Sequence, residues 1–155
     1  MIRVLAIGAI IVVLDQTSNV AVLKYLAPGV HIEVVKGFAT LTLVMNPGLA
    51  FGLLCSVPPG WRWVVVLLSI TALVVLARVA LRVLPEGTWI DHLAIAFIFG
   101  GAIGNLIDRT RFGAVVDFVD LHLYGYHWPA FNIADSAITV GVILLGLRLG
   151  LSKHD

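Results

Sequence analysis

Three short segments place carboxylates inside an otherwise apolar chain. Asn105, Asp108 and Arg109 follow a glycine-rich run (Gly100, Gly101, Gly104); Asp117 lies in Val115-Val116-Asp117-Phe118; Asp135 lies in Phe131-Asn132-Ile133-Ala134-Asp135-Ser136. The 155 residues are 60% hydrophobic and only 12% charged, and the mean hydropathy is +1.04. A soluble domain carries about twice that charged fraction, so lipid is the expected solvent for most of the chain. Acids at membrane depth are expensive and need a reason. Two carboxylates held together near a membrane surface can share one proton, with one acting as base and the other as acid, which is the chemistry of an aspartic protease.

Each of these residues also has a purely structural reading. Asp15, Ser18 and Asn19 fall at i, i+3 and i+4, on one helix face that must turn inward, where interhelical hydrogen bonding would explain them. Gly100 and Gly104 form a GxxxG pair that close helix packing accounts for. Asp108 next to Arg109 reads most simply as a salt bridge. Asn132 followed three residues later by Asp135 has the wording of a capping box. A helix N-terminus also fixes a carboxylate's position, so the cap and a catalytic role for Asp135 are compatible. Other nucleophiles fit less well: Ser136 has no evident His partner, Lys24 sits at a span end where it stays charged, and Cys55 reads as an apolar filler.

Composition excludes several classes. A formal net charge of +1 offers no basic field for nucleic acid. One cysteine allows no internal disulfide and no multi-cysteine zinc cluster. The five His show no ligand spacing, so neither a metal nor another cofactor is expected.

Four runs are long enough to hold these residues in a bilayer: roughly 2–25, 63–84, 90–107 and 133–151. Trp61, Trp63, Trp89 and Trp128 stand at their ends, as an interfacial aromatic belt requires. The first run resembles a secretory signal, but Asp15 interrupts it and no convincing cleavage site follows, so a retained helix is expected. Lys and Arg divide evenly between the two sides; setting aside Arg109 and Arg111, which lie beside the acidic motifs, favours termini inside. Residues 82–89 form a short turn, whereas 27–60 and 108–131 are long connections on the opposite face. In the first of these, Phe38–Met45 alternates like a half-buried strand, and His31–Val35 can pair with it across Lys36-Gly37.

The blocks Asp15-Gln16-Thr17-Ser18-Asn19, Asn46-Pro47-Gly48-Leu49-Ala50-Phe51-Gly52, Gly104-Asn105 through Asp108-Arg109 to Asp117-Phe118, and Phe131-Asn132-Ile133-Ala134-Asp135-Ser136 occur in order along nearly the whole chain. Together they resemble the lipoprotein signal peptidase (signal peptidase II) family, whose corresponding motifs are DQxxK, NxGxAF, GNxxDR…VxDF and FNxADS. The resemblance implies one integral membrane peptidase domain over 1–155. It would be an all-α membrane protein: a four-transmembrane-helix bundle with a small extracytoplasmic β-sheet between helices 1 and 2. It further implies a cytoplasmic (inner) membrane location, with cleavage of bacterial prolipoproteins just before a diacylglyceryl-modified cysteine near the extracytoplasmic surface. By motif position the catalytic pair would be Asp117 and Asp135. Asn105, Asp108, Arg109 and Asn132 would support the site, and Asp15, Asn46 and Gly48 would hold the fold or the substrate. The implied partners are lipid-modified prolipoproteins and membrane lipids, with no nucleic acid, metal or cofactor.

Two departures stand out: Asn19 replaces a usual lysine, and Leu49 a usual small residue. Without that lysine, Asp15 must be protonated, bonded to Asn19 or Ser18, or paired with another helix's cation. The rival readings are a small proton-coupled transporter or relay bundle using Asp15, Asp117 and Asp135, and a non-enzymatic membrane scaffold.

Overall fold

The computed structural model describes residues 1–48 and 62–151. Leu49, Ala50, Phe51, Gly52, Cys55 and Trp61 lie outside the described residues. Four helices carry the chain: α1 (Ile2–Tyr25), α2 (Arg62–Val83), α3 (Trp89–Phe112) and α4 (Ile133–Leu151). All four are long and apolar enough to cross a membrane. Their outward side chains, such as Leu5, Leu67, Leu81 and Leu147, are exposed, as a lipid-facing surface demands.

The third helix is longer than the sequence suggests. Thr88 and Asp91 close a full capping box at its start, and it runs to Phe112, five residues beyond the expected limit near Ile107, where Gly113 caps it in the left-handed conformation (φ 73°). Asp108 and Arg109 are therefore inside the last turns of α3 rather than in a connection, alongside Asn105.

Helix α3 is the hub, with α1, α2 and α4 each packed against it. Glycines permit the approach. A Cβ on Gly100 would meet Gly8 O and Ile11 Cβ at 2.8 Å, and one on Gly101 would run into the Ala134 carbonyl of α4. The GxxxG pair thus serves packing, as expected, while its neighbour Gly101 serves the opposite contact. Gly104 does something further: a Cβ there would lie 2.6 Å from Asp15 Oδ2, so the missing side chain makes room for a carboxylate. At the other end of the bundle, Val4, Ala80, Leu84, Ile95 and Ala96 form an apolar cluster.

A sheet in the order β1-β2-β3-β4 caps one end. Strands β1 (Ile32–Val35) and β2 (Ala39–Asn46) pair antiparallel, Ile32 opposite Leu41, as the alternation in the first connection predicts. Two more strands, β3 (Val115–Leu123) and β4 (Tyr126–His127), come from the second connection and extend the sheet beyond what the sequence suggests. Strand β3 hides from a period-2 reading because Val115, Val116, Asp117 and Phe118 are all buried, so no alternation appears where it begins. Its β-branched residues suit a strand covered on both faces. Pairing with β2 sets Asp117 opposite Val44 and Val115 opposite Asn46, and this register delivers Asp117 to the helix ends.

Candidate active site

Two hydrogen-bond networks meet where the sheet sits on the helices. The first is centred on Asp108 and Asp15, both fully buried. Asp108 accepts from Gln16 Nε2 (2.9 Å), Asn19 Nδ2 (2.8 Å) and the Val116 backbone N–H (3.0 Å). Asp15 accepts from the Ala134 backbone N–H at the start of α4 (2.9 Å), from Gln16 Nε2 (3.1 Å) and, at longer range, from Asn19 Nδ2 (3.3 Å). These bonds tie α1, α3, β3 and α4 together at one level. The salt bridge expected between Asp108 and Arg109 does not form: neighbours on a helix point apart, and Asp108 turns toward α1 while the Arg109 guanidinium reaches Gly48 O (3.1 Å) and Asn105 O (3.4 Å).

Asp15 is thus bonded to Asn19, one of the arrangements its missing lysine partner required, but its shortest bond goes to α4. Ser18 is not involved; its hydroxyl donates to the Asp15 backbone carbonyl (2.7 Å). Because Asn19 Nδ2 lies between Asp15 and Asp108, Asn19→Lys is expected to keep the protein's melting temperature in detergent or raise it, by placing an ammonium between two acids. Asn19→Leu, which withdraws a donor from both, is expected to cost about 2 kcal/mol. Unfolding of the lysine variant with no loss in the leucine variant would contradict this role.

The second network joins Asp117 to Asp135. Asp117 sits on β3, 1% exposed, and accepts from Asn46 Nδ2 on β2 (3.0 Å) and from Asn132 Nδ2 (3.1 Å). Asp135, in the first turn of α4, accepts from Asn105 Nδ2 on α3 (2.7 Å). Asn132 links the two halves: its Nδ2 also contacts Asn105 Oδ1 (3.2 Å), and its Oδ1 accepts from the Asp135 backbone N–H (2.8 Å). This last bond is one half of the capping box anticipated from sequence. The return half is missing, because the Asp135 carboxyl bonds to Asn105 instead. Its second oxygen has no hydrogen-bond partner among the described residues, so the cap positions a carboxylate without using it up.

Arg109 completes the arrangement. It is 8% exposed, and its positive charge acts on Asp135, Asp117 and Asp108 together. Gly48 N–H in turn donates to Asn46 Oδ1 (3.0 Å), so the Asn46-Pro47-Gly48 turn is clamped between Asp117 and Arg109. Burial, reinforced by the nearby Asp135 charge, pushes the Asp117 carboxyl up to about 7, against the opposing pull of the Asn46 hydrogen bond and Arg109. A carboxyl near neutrality can hold or release a proton as the reaction requires.

A cavity of about 1030 Å³ opens beside this pair, with Asn46, Asn105, Arg109 and Asp135 at its polar end. The rest of its wall is mostly apolar and comes from α2, α3, α4, Leu121 of β3 and the segment Trp128–Phe131. Ser136 also lines it, but its hydroxyl donates to the Asn132 carbonyl (2.9 Å), an arrangement that does not prepare a nucleophile.

All nine residues singled out from sequence converge on these two networks. Gln16 is the one that sequence reasoning passed over. It bonds Asp15 and Asp108, and its Oε1 accepts from Arg111 (3.2 Å). Its position between Asp15 and Ser18 was visible, but only the fold shows it turned toward α3.

A family model described as Signal peptidase (SPase) II matches residues 7–151. The lipoprotein signal peptidase of Desulforapulum autotrophicum is 45% identical over 159 residues, covering 99% of this chain and 94% of that protein. That of Burkholderia vietnamiensis is 46% identical over 142 residues, covering 91% and 83%. Two solved bacterial membrane enzymes superpose with TM-scores of 0.79 and 0.80 at 31% and 33% identity, covering 99% and 96% of this chain and 90% and 93% of theirs. With the fold and the sequence matched over nearly their whole length, this multi-pass membrane protein belongs to the signal peptidase II family.

Proposed function

We propose that Asp117 and Asp135 are the catalytic pair with which this chain, a peptidase that removes signal peptides from prolipoproteins, cuts its substrates as an aspartic endopeptidase. The observation that carries the assignment is the asparagine link: Asn132 donates to the Asp117 carboxyl and accepts from the Asp135 backbone N–H, and Asp135 stands at the polar end of an apolar cavity. In this reading one ionised carboxylate takes a proton from a water that attacks the scissile carbonyl, while its protonated partner donates to the carbonyl oxygen. The roles then reverse to protonate the leaving amine. Arg109, buried beside both acids, limits the cost of holding negative charge there as the proton moves.

The substrate we infer is a prolipoprotein cut just before its diacylglyceryl-modified cysteine. The apolar wall suits acyl chains, and part of it comes from α2 and α4, which both pack principally against α3. Such a substrate can enter laterally without leaving the bilayer. The relay-transporter reading loses its ground, since Asp15 is absorbed in fold-holding hydrogen bonds and the chain's relatives are peptidases. The test is incubation of purified protein with a diacylglyceryl-modified prolipoprotein peptide. A product whose new N-terminus is the modified cysteine is expected; an intact peptide, or a cut elsewhere, would overturn the reading.

We further place both termini in the cytoplasm and the sheet outside the inner membrane. Cysteine introduced at Gly87, in the turn between α2 and α3, is then expected to resist an impermeant thiol reagent in intact cells, in a background lacking Cys55, while one at Gly125 between β3 and β4 is labelled. The opposite pattern would invert the orientation.

A further inference from the structure

Beyond the peptidase site, the β3–β4 hairpin gathers a separate set of donors. Asp120 and His122 are two residues apart on β3 and therefore share a face. His127 on β4 is paired directly opposite His122. One ligand-capable atom from each of the three lies within 4.8 Å of the others. His127 Nδ1 is 3.0 and 2.9 Å from the two Asp120 oxygens, and the two imidazoles stack with centroids 5.0 Å apart at 23°. Donors bound to one ion at about 2.0–2.2 Å stand roughly 3–3.5 Å from one another, so this spacing needs only small side-chain rotations to close on a cation.

Two features go beyond an ordinary surface ion pair. His122 Nδ1 is buried and, among the described residues, has no hydrogen-bond partner, so that ring nitrogen is left unsatisfied. Stacked imidazoles also repel one another if both are protonated, whereas as neutral ligands they can share one cation. The site was invisible in the sequence because His122 and His127 are brought together by strand pairing rather than by helical spacing. That is also why the expectation that no metal binds had nothing to set against it.

We propose that Asp120, His122 and His127 form a binding site for one divalent transition-metal ion, of the class that prefers imidazole with a carboxylate, such as Zn²⁺. The site is distinct from the aspartyl pair and needs no part of its chemistry. Its position gives it a consequence, however. Trp128 follows His127 directly and donates its backbone N–H to Leu121 O (2.7 Å), and Trp128, Phe131 and Leu121 all line the substrate cavity. An ion joining β4 to β3 pins that wall in place.

The experiment is a titration of metal-free purified protein in detergent with Zn²⁺ against a chromophoric chelator, followed by X-ray absorption at the zinc edge of the loaded protein. One ion per chain and a first shell containing two imidazoles are expected. His122→Gln and His127→Gln should each weaken binding by at least ~10-fold. A first shell without imidazole, no binding above the detergent blank, or unchanged affinity in both variants would each overturn the proposal. The absorption measurement uses the parent protein, so it decides the matter even if a variant fails to fold.

Discussion

Replacing either Asp117 or Asp135 by Asn is expected to lower prolipoprotein cleavage by at least ~100-fold while the protein stays folded in detergent. Each substitution removes the only group at its position able to take or give a proton, yet keeps an oxygen of similar shape. Asn at 117 can still accept from Asn46 or Asn132, and Asn at 135 can still accept from Asn105. Melting should therefore change little. Glu33→Gln is the matched control: this carboxylate lies on the exposed strand β1 and, among the described residues, accepts only from Gly37 N–H (2.7 Å), and its loss should leave turnover intact. Turnover within a few-fold of the parent in either aspartate variant would remove that residue from the pair.

The second large effect is structural. Asp108→Ala is expected to lower stability by about 3–5 kcal/mol, because it withdraws one fully buried acceptor from three donors on α1 and β3. Activity should fall with it, since the Val116 N–H that Asp108 holds is adjacent to Asp117. Asp108→Asn keeps an oxygen and should lose less. Thermal melts of parent and both variants in one detergent check the order. An alanine variant as stable as the parent would mean that the buried network does not hold the sheet to the helices.

Much of this was legible because the physics was local. The four spans follow from apolar length, and β1 and β2 from the alternation at Phe38–Met45 and its Lys36-Gly37 turn. The glycines near Gly100 announce close packing, though only the fold divides them among an α1 contact, an α4 contact and space for Asp15. What stayed hidden depended on tertiary placement. Strand β3 is covered on both faces and so loses its alternation. Asp108 looked paired to Arg109 because sequence adjacency is visible and helix direction is not. Whether the Asp135 carboxyl closes a full capping box could not be read from the Asn132 spacing. It turns on Asn105, a residue thirty positions away that draws the Asp135 carboxyl out of the capping box.

The central claim is that Asp117 and Asp135 work by sharing one proton, and the pH dependence of kcat/KM tests it most directly. Below both pKa values the pair has no base, and above both it has no acid, so the rate must fall on each side as a bell whose limbs belong to the pair jointly. Because burial and the Asp135 charge raise Asp117 to about 7, the alkaline limb should lie near or above neutrality, well beyond an ordinary carboxylate. The predicted result, on a lipidated prolipoprotein peptide in detergent, is an optimum bounded on the alkaline side by that limb, with the residual activity of Asp117→Asn lacking it. A rate that climbs to a plateau and stays level through the alkaline range would contradict the account, because it would require only an ionised base and no proton held between the two aspartates.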